Sequence, residues 1–202
     1  MSGSRPAALV FDLDGTLLDT APVLTAAVNA ARALGAHPPL PVAAVAPHIG
    51  GGLGALLAAT LPPGYDEAAA RAAFHATCRA RLLDSRPYPD ADAVVAGLGS
   101  RAALVTNKPR AYVDPLLAHL GWRFAAVVAG DDPAGRKPEP GPLLHAAARL
   151  GVAPAAALAI GDSPLDRAAA RAAGVPYRPV AWGHVAPGER PLAALAELLA
   201  WV

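Results

Sequence analysis

The chain is 202 residues long, 54% hydrophobic and 5% aromatic, and 17 Lys+Arg against 16 Asp+Glu give a formal net charge of +1. This length suits one medium domain or a core with a small insert, and the charges are spread along the chain with nothing resembling the basic stripe that nucleic acid demands. No stretch reaches the ~18 uncharged apolar residues of a membrane span, no charged leader with an apolar segment opens the chain, and a lone cysteine, Cys78, excludes an internal disulfide; together these point to a cytoplasmic protein.

AALVFDL, from Ala7 to Leu13, reads as a buried strand ending in acid. Asp19 or Thr20 then caps a helix that stops at Gly35. After the Pro-rich break HPPLP, three patches, VAAVAPHI, GLGALLAAT and DEAAARAAFHATCRARLL, all read as helix, so the segment from about Leu18 to Arg86 is expected to be wholly helical. Beyond RPYPD, a helix over 91–98 leads to a strand at 102–106, a helix from Tyr112 to Leu120 closed by Gly121, and a strand at 124–128. A long Gly/Pro-rich loop follows. Pro142 then starts a helix ending at Gly151, ALAIG is a strand, and Ser163-Pro164 opens a helix that Gly174 closes. YRPVAW is a weak edge strand, because its proline lacks a ladder donor. PLAALAELLAW reads as a final amphipathic helix.

Strands alternating with helices of about ten residues imply βαβ units. The expected fold is α/β, a doubly wound parallel sheet interrupted after its first strand by a small helical insert. Residues 1–17 and 86–202 form the core in this reading, and 18–85 the insert.

In such a sheet, ligands gather at the carboxyl ends of the strands. Strand one ends in Asp12-Leu13-Asp14-Gly15, the second in Thr106-Asn107-Lys108, and ALAIG in Gly161-Asp162-Ser163, with Asp166 four residues on; the loop after FAAVV carries Lys137. Asp12 and Asp14, two apart on a strand, face one side. A carboxylate can accept a phosphoryl group, and a second can serve as acid and base. An aspartate about 4 Å from a phosphate dianion is repelled by roughly 8 kcal/mol at an effective dielectric of 20, whereas Mg²⁺ contributes roughly −16 and a lysine about −8. Such a site therefore needs cations. Asp162 offers a further oxygen ligand of the kind Mg²⁺ takes, Lys137 is the protein cation, and Thr106 and Asn107 can hold equatorial oxygens. Each residue also has a structural reading: helix cap and turn for Asp12 and Asp14, strand end for Thr106, solvated loop for Lys137, exposed first turn for Asp166.

FDLDGTLLDT, LVTNKP, KPEP and GDSPLD, in that order, resemble the four motifs of the haloacid dehalogenase superfamily in its phosphatase branch. The resemblance implies Asp12 as nucleophile, Asp14 as acid/base, Thr106 and Lys137 on phosphate, and a Mg²⁺ site of Asp12, Asp14 and Asp162; the residues themselves give Asp166 a supporting role through metal-bound water. The resemblance also implies a helical cap at the position of the insert. IGGGL (49–53), RPYP (86–89), TNKP (106–109), GDD (130–132) and AWG (181–183) are further similar to phosphoglycolate phosphatases, although Asp90 stands where that branch commonly has glycine. The implied function is Mg²⁺-dependent hydrolysis of a small phosphorylated metabolite such as 2-phosphoglycolate, with no nucleic-acid or membrane partner. A phosphomutase related to β-phosphoglucomutase, a pyrophosphatase of the same family, and a catalytically idle binding module are the rivals. GGGLG lacks the Lys-Ser/Thr of a nucleotide P-loop, the six histidines show no metal-ligand spacing, and Asp131 and Asp132 are explained by a turn before Pro133 as well as by the metal region.

Overall fold

Ala-Leu-Val-Phe is apolar at every position, as a strand covered on both faces requires. In a computed structural model, which describes residues 5–201, it forms β1 (Ala8–Phe11), buried throughout. The short β2 (Leu18–Asp19) follows, then α1 (Ala21–Ala33), α2 (Val42–Val45), α3 (Leu53–Thr60), α4 (Glu67–Arg81) and the short β3 (Arg86–Pro87). The rest runs α5 (Ala91–Leu98), β4 (Ala102–Val105), α6 (Arg110–Leu120), β5 (Ala126–Val128), α7 (Gly141–Leu150), β6 (Ala157–Gly161), α8 (Pro164–Ala173) and β7 (Tyr177–Pro179).

The chain divides into two compact units, Asp19–Arg86 and the residues on either side of it. In the helical unit, α1 packs on α4. Ala70, Phe74 and Cys78, spaced by four, form the buried stripe of α4, which is what a helix repeat of 3.6 produces. The α1 N-cap is Thr20, but no side chain caps it in the usual way; Asp19 Oδ1 instead accepts from Ala21 N at 3.2 Å. Asn29 bonds both backbone groups of Leu40, at 2.9 and 2.8 Å, and so ties the Pro-rich connection to α1. The expectation of a wholly helical insert is corrected at its edges, where β2 and β3 pair as a two-stranded sheet. Strands of two residues show no periodicity in a sequence.

In the other unit, five parallel strands run in the order β5-β4-β1-β6-β7. The chain leaves β1 for β4 and β5 on one side, then returns to β6 and β7 on the other. The reversal opens a crevice at the carboxyl ends of β4, β1 and β6. Beneath it, Val10 and Val105 meet Leu143 and Ala146 of α7 and Ala169 and Ala170 of α8. Here the alanines let helices lie close to the sheet. Gly121, Gly151 and Gly174 end α6, α7 and α8.

Two local findings depart from simple expectation. Asp90 sits at φ +66°, a left-handed conformation that glycine adopts without strain and aspartate tolerates better than most residues. The tail is a 3₁₀ helix, Leu195–Trp201, rather than an amphipathic α-helix. Leu195 and Leu198 are its buried residues, and a spacing of three aligns side chains along a helix of three residues per turn; the buried Leu192 lies before the helix, bridged to Val180.

Candidate active site

Asp12 N donates to Ile160 O at 2.9 Å, extending the ladder between β1 and β6 by one residue before the chain turns away. Asp12 is thereby held at the crevice and buried. The turn that follows closes on itself, with Leu17 N donating to Leu13 O at 3.1 Å and Gly15 N to Leu18 O at 2.9 Å. Gly15 adopts φ +84°, and a Cβ there would lie 2.4 Å from Asp162 Oδ2. Only glycine allows both the turn and this approach. Gly15→Ala is expected to cost about 2 kcal/mol of stability and at least about tenfold in turnover through displacement of Asp162; urea unfolding together with a steady-state assay checks both.

Lys137 lies in the loop before α7, yet it is only 7% exposed. Asn107 draws it in. The Asn107 amide donates to Lys137 O and accepts from Lys137 N, both at 2.9 Å. The Lys137 ammonium then donates to Asp12 Oδ1 at 2.5 Å, Asp166 Oδ1 at 2.6 Å and Val105 O at 3.0 Å. Asp166 belongs to the capping box that opens α8, its Oδ2 accepting from Ser163 N at 3.0 Å. It is a buried partner of Lys137 rather than a solvent-facing residue of the first turn.

Asp14 takes a different cation. Lys108 Nζ donates to Asp14 Oδ1 at 2.8 Å, and both side chains are largely shielded. Thr106 Oγ1 accepts from Lys108 N at 3.1 Å, which leaves the hydroxyl hydrogen for an acceptor. Asp162 Oδ1 accepts from Thr16 Oγ1 at 3.3 Å. All seven residues singled out from the sequence thus lie in one unit, around the ends of β1, β4 and β6. The side-chain amide of Asn107 is engaged by the Lys137 peptide. Lys108 stands in the sequence as part of the Thr106-Asn107-Lys108 strand end without a role of its own; its signal is its place two residues after Thr106 on the same loop. Asp131 and Asp132 serve the α6 start: Asp131 Oδ1 accepts from Arg110 N at 2.8 Å, and Asp132 pairs with the Arg110 guanidinium.

Four carboxylates (Asp12, Asp14, Asp162, Asp166) face two ammonium groups (Lys108, Lys137), a formal excess of two negative charges when all are ionised. Burial drives the Asp12 carboxyl well above its usual value against the pull of Lys137, and Asp166, Asp162 and Asp14 push it the same way. Burial, reinforced by Asp166, pushes Asp162 up to about 7. Lys137 loses from burial too, but Asp12 and Asp166 more than offset this and raise it above an ordinary lysine. One oxygen from each of Asp12, Asp162 and Asp166 lies within 4.8 Å of the others. This charge excess and all-oxygen donor set fit a hard divalent cation.

A model of the haloacid dehalogenase-like hydrolases matches residues 6–174, a span that holds every residue of this cluster. The chain belongs to that family. Among haloacid dehalogenase-like hydrolases it is similar to the plasmid-borne phosphoglycolate phosphatase of Cupriavidus necator, 43% identical over 90% of this chain and 83% of the relative. It is also similar to N-acetylmuramic acid 6-phosphate phosphatase of Pseudomonas aeruginosa, 34% identical over 95% of this chain and 88% of the relative. The crystal structure of a predicted phosphoglycolate phosphatase from Haemophilus somnus superposes with a TM-score of 0.83, at 25% identity and 98% coverage of both chains. As a member of this hydrolase family the protein is an enzyme, and none of its described helices is long and apolar enough to cross a membrane.

Proposed function

We propose that the protein is a phosphatase that hydrolyses a small phosphate monoester, 2-phosphoglycolate foremost, through a phosphoryl group carried on Asp12. The observation that carries this reading is the buried Asp12 carboxylate at the end of the central strand, with Lys137 Nζ 2.5 Å from Oδ1. Lys137 occupies Oδ1, so Oδ2 is the atom we assign to attack. A new Oδ2–phosphorus bond forms as the ester phosphorus–oxygen bond breaks, and Asp14 gives its proton to the departing alkoxide. Water then attacks the phosphorus. Asp14 takes a proton from it, and Asp12 leaves as carboxylate. Lys137 and the Thr106 hydroxyl supply positive potential and a donor to the phosphoryl oxygens. Mg²⁺, held by Asp12 and Asp162 with Asp14 or Asp166 beside them, would neutralise the negative charge gathered in transfer. Lys108 fixes one oxygen of Asp14, which orients the acid/base.

The choice of 2-phosphoglycolate rests on relatives of that name at 36–43% identity. In this reading, the helical unit is the cap that selects substrate, and the lone buried Cys78 supports a cytoplasmic setting. The relative that acts on N-acetylmuramic acid 6-phosphate favours a larger sugar phosphate as a second reading. Phosphate release from 2-phosphoglycolate, N-acetylmuramic acid 6-phosphate, a sugar 1-phosphate and pyrophosphate, each with Mg²⁺ and with chelator, separates the readings. We expect kcat/KM for 2-phosphoglycolate to exceed the others by about tenfold or more, a difference of ~1.4 kcal/mol in transition-state binding, and chelator to silence all four. Isomerisation of the sugar 1-phosphate without net phosphate release would sink the phosphatase reading in favour of a mutase.

A further inference from the structure

Trp182 lies beyond the span matched by the family model and takes no part in the chemistry above. It is 36% exposed, and its indole N–H donates to the carbonyl of Gly15 at 2.9 Å, on the turn directly after Asp14. The ring is held there by Tyr88, with centroids 5.0 Å apart and planes inclined by 30°. The next two residues grip Asp162. A Cβ on Gly183 would lie 2.6 Å from both Asp162 Cα and O, so the backbones touch as only glycine permits. His184 N donates to Asp162 O at 2.6 Å. Residues 182–184 therefore bind the loop after β1 at one end and the loop after β6 at the other. Between the loops themselves, among the described residues, a long side-chain bond runs from Thr16 to Asp162, at 3.3 Å.

We propose that residues 182–184 form a bracket that sets the spacing between the Asp12–Gly15 loop and Asp162, and that Trp182 is a positioning residue acting through its indole N–H. The proposal rests on the phosphatase reading and on a divalent cation held by Asp12 and Asp162. A carboxylate array holds a small, hard cation well only when its members keep their separation, and the bracket supplies this from outside the array. Trp182 would thus act on cation affinity and turnover without touching substrate.

Trp182→Phe tests this, because phenylalanine keeps the stack on Tyr88 and removes the donor. Loss of one such bond is expected to lower kcat about tenfold, leave KM within about twofold, and raise the Mg²⁺ dissociation constant of the metal-free protein about fivefold by titration calorimetry. A Trp182→Phe enzyme with wild-type kcat and wild-type Mg²⁺ affinity would show that the ring only packs, and would overturn the proposal. Wild-type protein offers a second measurement independent of any variant's folding. The Trp182 indole ¹H–¹⁵N resonance should shift when Mg²⁺ is added, while that of Trp122, bonded to Asp92 at 2.7 Å, stays in place; an unmoved Trp182 signal counts against the bracket. Should wild-type protein release no phosphate from any ester, the functional reading falls, while the calorimetric and resonance comparisons still decide the bracket.

Discussion

Asp12→Asn is expected to lower phosphate release by on the order of 10⁴-fold or more, as loss of a nucleophile does in enzymes with a covalent intermediate, while the fold stays intact. An amide oxygen still accepts from Lys137, so the 2.5 Å contact keeps a partner. The amide cannot, however, form the mixed anhydride with phosphate. Stability should hold or rise. Burial and the neighbouring Asp166, Asp162 and Asp14 all oppose the charge on Asp12, and the substitution removes that charge. The intermediate itself can be sought in the wild-type enzyme. Acid quenching during turnover, followed by borohydride reduction, should convert the phosphorylated residue to homoserine, and peptide mass spectrometry should find it at position 12 alone. Turnover of Asp12→Asn within a factor of a few of wild type, or homoserine at another position, would remove Asp12 from the nucleophile role.

Lys137→Met should cost both activity and stability. Its ammonium has three partners, Asp12, Asp166 and the Val105 carbonyl, and removal leaves two buried carboxylates facing each other without their cation. Breaking a buried pair in this way typically costs about 3–5 kcal/mol. Turnover is expected to fall about 10³-fold, because the cation proposed to offset charge on the transferring group is lost. The stability loss should depend on pH in a definite sense. Asp12 already has a folded-state pKa above its usual value of 3.8, and losing Lys137 raises it further. A carboxyl with a raised folded pKa binds its proton in the native state over a range where the unfolded chain has released it, so stability falls as pH rises through that range. Urea unfolding of metal-free Lys137→Met should therefore show a smaller deficit against wild type at pH 5 than at pH 7.5. A deficit independent of pH would mean that lost packing of the lysine stem, and not the unpaired carboxylates, causes the damage.

Much of this protein is legible in its sequence because the relevant signals are local. A run apolar at every position and ended by aspartate describes β1 and its place at the crevice floor. Ser163-Pro164 and Gly174 bound α8 in the sequence as they do in the structure, because capping is a matter of three or four consecutive residues. The alternation of strands and helices led to the parallel α/β sheet for the same reason. The tail shows the limit: its leucines suit an amphipathic α-helix or a 3₁₀ ridge equally, and only packing of Leu195 and Leu198 in the core selects the second.

For the site, residue types and their positions at strand ends could be read from the chain, and they sufficed to name the carboxylates and the lysine. Their pairing could not. Asp12 with Lys137 and Asp14 with Lys108 join residues 125 and 94 positions apart, and no periodicity reaches so far. Sheet order decides these pairs, by setting β4 and β6 on either side of β1. Asn107 shows the same dependence. In the sequence it is an amide beside the threonine proposed to bind phosphate, whereas in the fold it holds the Lys137 peptide. Asp166 reads as a helix-start acid until burial makes it the second partner of Lys137. Trp182, 167 residues from the Gly15 carbonyl it bonds, acquires its role only through β7 lying next to β6. The local chain determined which groups were present and on which element; the parallel sheet, through the neighbours it gives each strand end, decided which charges meet.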